Sequence, residues 1–256
     1  MVSGGSDELV LSERDGAVLK LTLNRPDKSN SLHPALVLGL TSALDRAAAD
    51  ETLNVVVITG AGRSFCAGLD LTLLASWSPA EKLAYLEKVT DVFGAIWTLP
   101  QPVIGAINGA AIAGGFDLAA FCDIRLAATE AIFGQAEINI GLIQIIHPLY
   151  KSIGLARAKE LAMTGQNISA EEAYRIGLVN HVYSSDELMP KAMEMARLLA
   201  SKPRQALFET KRLTRELIDL DTKRALYEIG RTFIRCLESE EHNKRVAEVL
   251  EGLKRK

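Results

Sequence analysis

Asn54-Val55-Val56-Val57-Ile58-Thr59-Gly60 leads into Ser64-Phe65-Cys66-Ala67-Gly68-Leu69-Asp70. Further on, Pro102-Val103-Ile104-Gly105-Ala106-Ile107 leads into Asn108-Gly109-Ala110-Ala111-Ile112-Ala113-Gly114-Gly115-Phe116-Asp117. A short β-branched apolar run that ends in glycine and other small residues reads as a buried strand delivering a tight turn. Small residues let a ligand approach the backbone, and a turn that opens a helix leaves its first N–H groups without intrahelical partners. Two such turns can aim two amides at one oxygen, which is the arrangement of an oxyanion hole.

Outward from these runs, the first half alternates strand-like and helix-like segments. Val18-Leu19-Lys20-Leu21-Thr22-Leu23 alternates as a half-exposed strand does, and Pro34 to Ala49 carries Leu36, Leu40 and Leu44 at helical spacing behind an acceptable first-turn proline. A helix is expected over Pro79 to Trp97, another from about Gly115, and a strand at Ile124-Arg125-Leu126-Ala127. Repeated strand–helix–strand units predict a parallel sheet with crossover helices. After about Ala156 the pattern turns helical: Ala156 to Met163, Ser169 to Arg175, Glu187 to Ala200, Pro203 to Leu217, Thr222 to Leu237 and Ser239 to Leu253. Ser169-Ala170-Glu171-Glu172 is a capping-box signature. Gly177-Leu178-Val179-Asn180-His181-Val182 is the lone strand expected in this part.

The segments SFCAGLDL and NGAAIAGGFDLAAFCDIRLA, followed by FGQAEINIGL, resemble the enoyl-CoA hydratase/isomerase (crotonase) superfamily. The similarity runs from about Leu21 to about Asn180. It implies an α/β fold, a crotonase-like spiral of ββα units over residues 1–195, with a C-terminal helical trimerisation region over 196–256. It further implies an acyl-CoA thioester substrate and a homotrimer or a hexamer built as a dimer of trimers. No cofactor is implied beyond the coenzyme A carried by the substrate.

By the same resemblance, the backbone N–H groups of Ala67 and Gly114 polarise the thioester carbonyl. Negative charge builds on that oxygen when a conjugated thioester adds water or moves its double bond. A fixed donor there contributes about 3 kcal/mol in comparable acyl-transfer sites. Hydratases of the superfamily place two glutamates around the reacting carbons; here those positions hold Asp117 and Glu137. Two carboxylates facing one small site have their pKa values pushed apart, which suits acid–base work. Aspartate is a methylene shorter than glutamate, and a displacement of about 1 Å can cost roughly 100-fold in rate. The downstream stretch Leu142-Ile143-Gln144-Ile145-Ile146-His147 also departs from the family's glycine-rich loop and is shorter. Isoleucines there should make the pocket drier and favour proton shuttling by Glu137 alone. It also lacks the further acid that dienoyl-CoA isomerases carry. His147, beside Pro148 among apolar residues, reads as a packed or surface histidine.

For coenzyme A the resemblance points to Lys28, Ser29, Ser31, Leu69, Asp70 and Leu71, with Lys28 able to meet phosphate as a point charge. Three readings follow. The first is an enoyl-CoA hydratase with Glu137 as principal acid/base and Asp117 assisting with the water. The second is an enoyl-CoA isomerase using Glu137 alone. The third is a catalytically weak acyl-CoA-binding homologue.

Composition sets outer bounds. The chain has 256 residues, 48 % of them hydrophobic, and a formal charge of −3 with its cations dispersed. That length buries a large core, and the charge carries no nucleic-acid footprint. Cys66, Cys122 and Cys236 are too few and too far apart for a disulfide framework, and no His/Cys cluster suggests a metal. Met1–Glu8 has no basic start and no apolar stretch, no span reaches membrane length, and a cytoplasmic protein is expected. The basic end Leu253-Lys254-Arg255-Lys256 reads as a solvated helix end.

Overall fold

β-Branched residues set the middle of the fold. The computed structural model describes residues 9–254, so Met1–Glu8 and the last two basic residues lie outside the described residues. Val10–Asp15 (β1), Val18–Leu23 (β2) and Val55–Gly60 (β3) are neighbouring strands, and all six residues of β3 are buried. Its side chains alternate between two cores. Val56 and Ile58 join Leu21, Leu23 and Val103 on one face, while Val55 and Val57 join Leu188, Ala192 and Ala196 on the other. A strand covered on both faces has no polar alternation to show, hence the unbroken apolar run.

Helix α1 (Pro34–Ala49) lies between β2 and β3, with the bounds its leucine spacing predicts. From β3 onward the chain repeats one movement: a strand into the first sheet, a three-residue strand into a second, then a helical return. Thus β3 is followed by Ser64–Cys66 (β4) and by Leu71–Ser76 (α2) and Pro79–Thr98 (α3). Val103–Ile107 (β5) is followed by Ala110–Ile112 (β6) and Gly114–Ala120 (α4). Ile124–Ala128 (β7) is followed by Ile132–Gly134 (β8), a 3-10 turn at Ala136–Ile140, Leu149–Ile153 (α5) and Leu155–Thr164 (α6). Asn167–Ser169 (β9) then closes the second sheet, in the order β4-β6-β8-β9. After Ala170–Arg175 (α7), His181–Tyr183 (β10) closes the first, in the order β1-β2-β3-β5-β7-β10. Among the described residues only the β1–β2 and β8–β9 pairs are antiparallel. This is the α/β spiral of ββα units.

The late strand starts four residues beyond its expected beginning. Gly177 turns the chain at φ +81°, and the N–H groups of Leu178 and Val179 go to the Ala173 carbonyl rather than to a ladder. Both side chains are buried, which explains why the sequence reads as strand.

Ser185–Ala200 (α8) lies across the first sheet, so residue 196, the expected start of the C-terminal region, falls within this helix. Beyond it come Arg204–Glu216 (α9), Thr222–Leu237 (α10) and Glu240–Lys254 (α11). Lys211 ties α9 to the core: its Nζ reaches Asp123 Oδ2 at 2.7 Å and donates to the Ile96 and Gln101 carbonyls. Cys66 and Cys122 are buried, and burial pushes both thiols up to about 12, which leaves them inert small fillers. Trp77 and Trp97 are partly buried against the larger core. Among the described residues no helix is long and apolar enough to cross a membrane.

Candidate active site

β4 and β6 lie side by side, pairing Ser64 with Ala110 and Cys66 with Ala111. The turns that follow them therefore leave the second sheet together. Their backbones touch: a Cβ on Gly115 would stand 2.0 Å from the Cys66 carbonyl oxygen, and one on Gly68 would stand 2.8 Å from the Gly114 nitrogen. Gly68 also sits at φ +83°, where an L side chain is strained. Glycine is required at both points.

Of the two expected amide donors, Gly114 opens α4 and its N–H has no acceptor among the described residues. Ala67 does not fit the role. Its N–H donates to the Ser29 carbonyl at 3.0 Å and holds the two loops together. The free donor in that turn is Leu69, two residues on, whose N–H has no acceptor among the described residues. A Cβ on Gly114 would lie 3.8 Å from the Leu69 nitrogen, so the two free N–H groups are close neighbours. Leu69 and Gly114 can serve one oxygen; Ala67 cannot.

Glu137 and Asp117 are both buried, at 8 % and 3 % exposure. Glu137 Oε2 is enclosed with no hydrogen-bond partner among the described residues. Loss of solvation pushes its carboxyl above the usual range. It lines a cavity of about 260 Å³ with Leu69, Ala113, Ile140 and Leu142, and is the only acid among the lining residues. Asp117 sits in the first turn of α4 and does not line that cavity. Burial first, and the neighbouring Glu137 charge second, push its carboxyl well above the usual range. An enclosed carboxylate oxygen without a partner is a natural acceptor for a water or substrate proton.

One residue of this centre is not signalled by the sequence. Gln135, fully buried, directs Nε2 to the Ile145 carbonyl at 3.4 Å and to Asp117 Oδ1 at 3.5 Å, while Gln144 Nε2 donates to the Gln135 carbonyl at 3.1 Å. The non-glycine loop is thus latched to the acid pair. Its isoleucines do not all dry the pocket. Leu142 lines the cavity, Ile145 packs on the core, and Ile143 is 91 % exposed. His147 packs edge-on against Trp97 and Tyr150.

A second cavity, about 330 Å³, shares Leu69 and Leu71 with the first. Of the six residues expected to hold coenzyme A, Lys28, Ser31, Leu69, Asp70 and Leu71 line it. Ser29 does not; its carbonyl accepts from Ala67, and it ends a short turn at φ 49°. Arg25, His33, Thr72 and Leu73 complete its lining. Arg25 Nη1 donates to Ser31 Oγ at 2.8 Å and Asp70 Oδ2 at 2.7 Å. Burial raises the Asp70 carboxyl, but Arg25 outweighs that and holds it below the usual range. His33 caps α1, its Nδ1 accepting from the Ala35 N–H, and burial with the nearby Arg25 charge lowers its pKa. Two cavities therefore meet at Leu69 and Leu71: one with cations at its wall, one apolar with a single buried acid.

Residues 13–255 match the family model described as enoyl-CoA hydratase/isomerase. The chain is 34 % identical over 249 residues to the short-chain-enoyl-CoA hydratase of Clostridium acetobutylicum, covering 96 % of this chain and 95 % of that protein. It is 33 % identical to the crotonyl-CoA hydratase of Syntrophomonas wolfei over 96 % of each. The crystal structure of the enoyl-CoA hydratase from Bacillus anthracis superposes with a TM-score of 0.93 at 32 % identity, over 95 % of this chain and 96 % of that one.

Proposed function

Because the chain belongs to the enoyl-CoA hydratase/isomerase family, we propose that its site adds water across the 2,3 double bond of an acyl-CoA thioester, with Glu137 as the principal acid/base. It is an enzyme of the enoyl-CoA hydratase type, and its substrate is an acyl-CoA thioester. The observation that carries the assignment of roles is the unpartnered Glu137 Oε2 in the wall of the apolar cavity.

In this reading the thioester oxygen lies between the Leu69 and Gly114 N–H groups. Coenzyme A runs outward past Arg25, Lys28 and Ser31. Glu137 takes a proton from water as its oxygen attacks C3, and the electron pair moves to the held carbonyl oxygen. Glu137 then returns that proton to C2 of the resulting enolate, which restores its carboxylate. The two amides stabilise the negative charge only as it develops, so they act on the barrier rather than on binding. Asp117 lies behind the cavity wall and assists indirectly, through its contact with Gln135. No cofactor is invoked apart from the coenzyme A of the substrate.

A second reading has a specific observation behind it. Glu137 is the only acid lining the cavity, and a single carboxylate can carry a proton between C4 and C2, as an isomerase does. Incubation with 2-enoyl and 3-enoyl esters in heavy-oxygen water separates the two. Heavy oxygen in a 3-hydroxyacyl product is the result expected. Conversion of the 3-enoyl ester to the 2-enoyl ester without oxygen uptake would make isomerisation the activity.

We also propose that the chain assembles as a trimer or a dimer of trimers. Support comes from α10, which buries only Thr232 and leaves Leu226, Tyr227, Phe233 and Ile234 more than half exposed.

A further inference from the structure

Beyond Glu137 the apolar cavity is larger and more open than a four-carbon acyl group requires. Crotonyl has one carbon past the reacting pair. A cavity of about 260 Å³ takes roughly eight groups of water size, at about 30 Å³ each. Only Glu137 and Asn139 among its lining residues carry polar side chains. Its lining includes exposed aliphatic side chains: Leu71 on α2 is 54 % exposed, and Ile140 and Leu142 are 56 % and 43 % exposed. Ile143, the next residue after Leu142 but not a lining residue, is 91 % exposed. Three exposed aliphatic side chains lining one cavity, with Ile143 next in the chain, form a surface that favours an apolar cover. The occupant is fixed by continuity. The thioester end lies at Leu69, which both cavities share, and coenzyme A takes the cationic side, so the acyl tail leaves through the aliphatic side.

We propose that this enzyme selects straight aliphatic acyl groups of about eight carbons or more, with Ile140, Leu142 and Ile143 as its chain-length determinants. The proposal rests on the hydratase reading for which end of the ester lies where. Each added methylene that moves from water onto these side chains favours binding and turnover together, by a factor of about four.

The test is kcat/KM for 2-enoyl esters of four, six, eight and ten carbons. A rise of a few hundredfold from four to eight carbons is expected. Leu142→Asn and Ile140→Asn, at partly exposed positions, flatten the rise over six to eight carbons, and Ile143→Asn lowers only the ten-carbon ester. Crotonyl equal to or better than the eight-carbon ester would overturn the proposal, as would variants that slow every ester alike. Variants that change the sedimentation coefficient and leave the slope intact would mark the rim as a subunit contact and overturn it too. If no ester of any length is hydrated, the hydratase reading fails on its own. Calorimetry with saturated butanoyl- and octanoyl-CoA still decides chain length: tighter octanoyl binding upholds the selection, and equal binding ends it.

Discussion

Glu137 and Asp117 are two acids treated differently by their surroundings. Glu137 faces a cavity with an unpartnered oxygen, whereas Asp117 lies behind it within hydrogen-bond reach of Gln135. Glu137→Gln keeps the shape and removes the base, so kcat should fall by about 10³, within the range of general acid–base catalysis. KM for the ester should stay within a few-fold, because the proposed coenzyme A contacts are elsewhere. Steady-state kinetics on the purified variant checks this, and retained turnover would remove Glu137 from the chemistry. Asp117→Asn should slow hydration more than double-bond migration and should stabilise the fold. The sign follows from linkage. The folded Asp117 pKa is raised, so between the unfolded value and the folded one the native state holds the extra proton, and stability falls as pH rises through that window. The asparagine variant escapes this cost. Its melting temperature should exceed that of the parent at pH 8, by ~2–4 °C per kcal/mol gained, and match it near pH 3, where both carboxyl states are neutral. A gain that is the same at both pH values would mean that charge burial is not its source.

The paired turns are an element-scale device, because β4 and β6 must sit side by side before Leu69 and Gly114 become neighbours. Gly68→Ala would place a Cβ 2.8 Å from the Gly114 nitrogen and 2.9 Å from the Ile112 oxygen, at a φ of +83°. The turns must separate, and kcat should drop by about 10²–10³, the cost of one lost oxyanion donor. A near-normal kcat with unchanged circular dichroism would show that the two amides do not act as a pair. This contact also explains what the sequence could carry and what it could not. The unbroken β3 valines and the α1 leucines are periodic signals over six and sixteen residues, so those elements are legible. β4, β6, β8 and β9 are three residues each, too short for any period. Small residues mark the turns, but which N–H is free depends on Ser29, 38 positions away from Ala67, accepting one of them. For that reason the free N–H of this turn is that of Leu69, not that of Ala67. Gln135 escapes for the same reason: its amide partners, Asp117 and Ile145, lie 18 and 10 residues away. Five of the six coenzyme A candidates share one cavity because they come from two short turns joined by the Leu32–Leu69 bridge.

At the scale of the whole molecule, the C-terminal helices are attached but not finished. α9 buries only Lys211, whose ammonium is spent on Asp123 and two core carbonyls. α10 presents Leu226, Phe233 and Leu237 along one side, with Tyr227 and Ile234 beside them, and all five are exposed. The periodicity of this helix is plain in the sequence, yet the described residues leave these side chains uncovered. An amphipathic helix gains most of its stability from a packed face, so a bare one calls for other copies of the chain. The parent should therefore sediment as three or six copies of the 27.8 kDa chain. Phe233→Lys combined with Ile234→Asp puts charges onto the exposed face and removes no contact that the isolated chain makes to its core. That variant should sediment as a single chain and keep its far-ultraviolet spectrum. It should also melt earlier and with little dependence on protein concentration, whereas the parent's melting temperature rises with concentration by mass action. A parent that sediments as one chain, or a double variant that stays assembled, would show that this face is not where the copies meet.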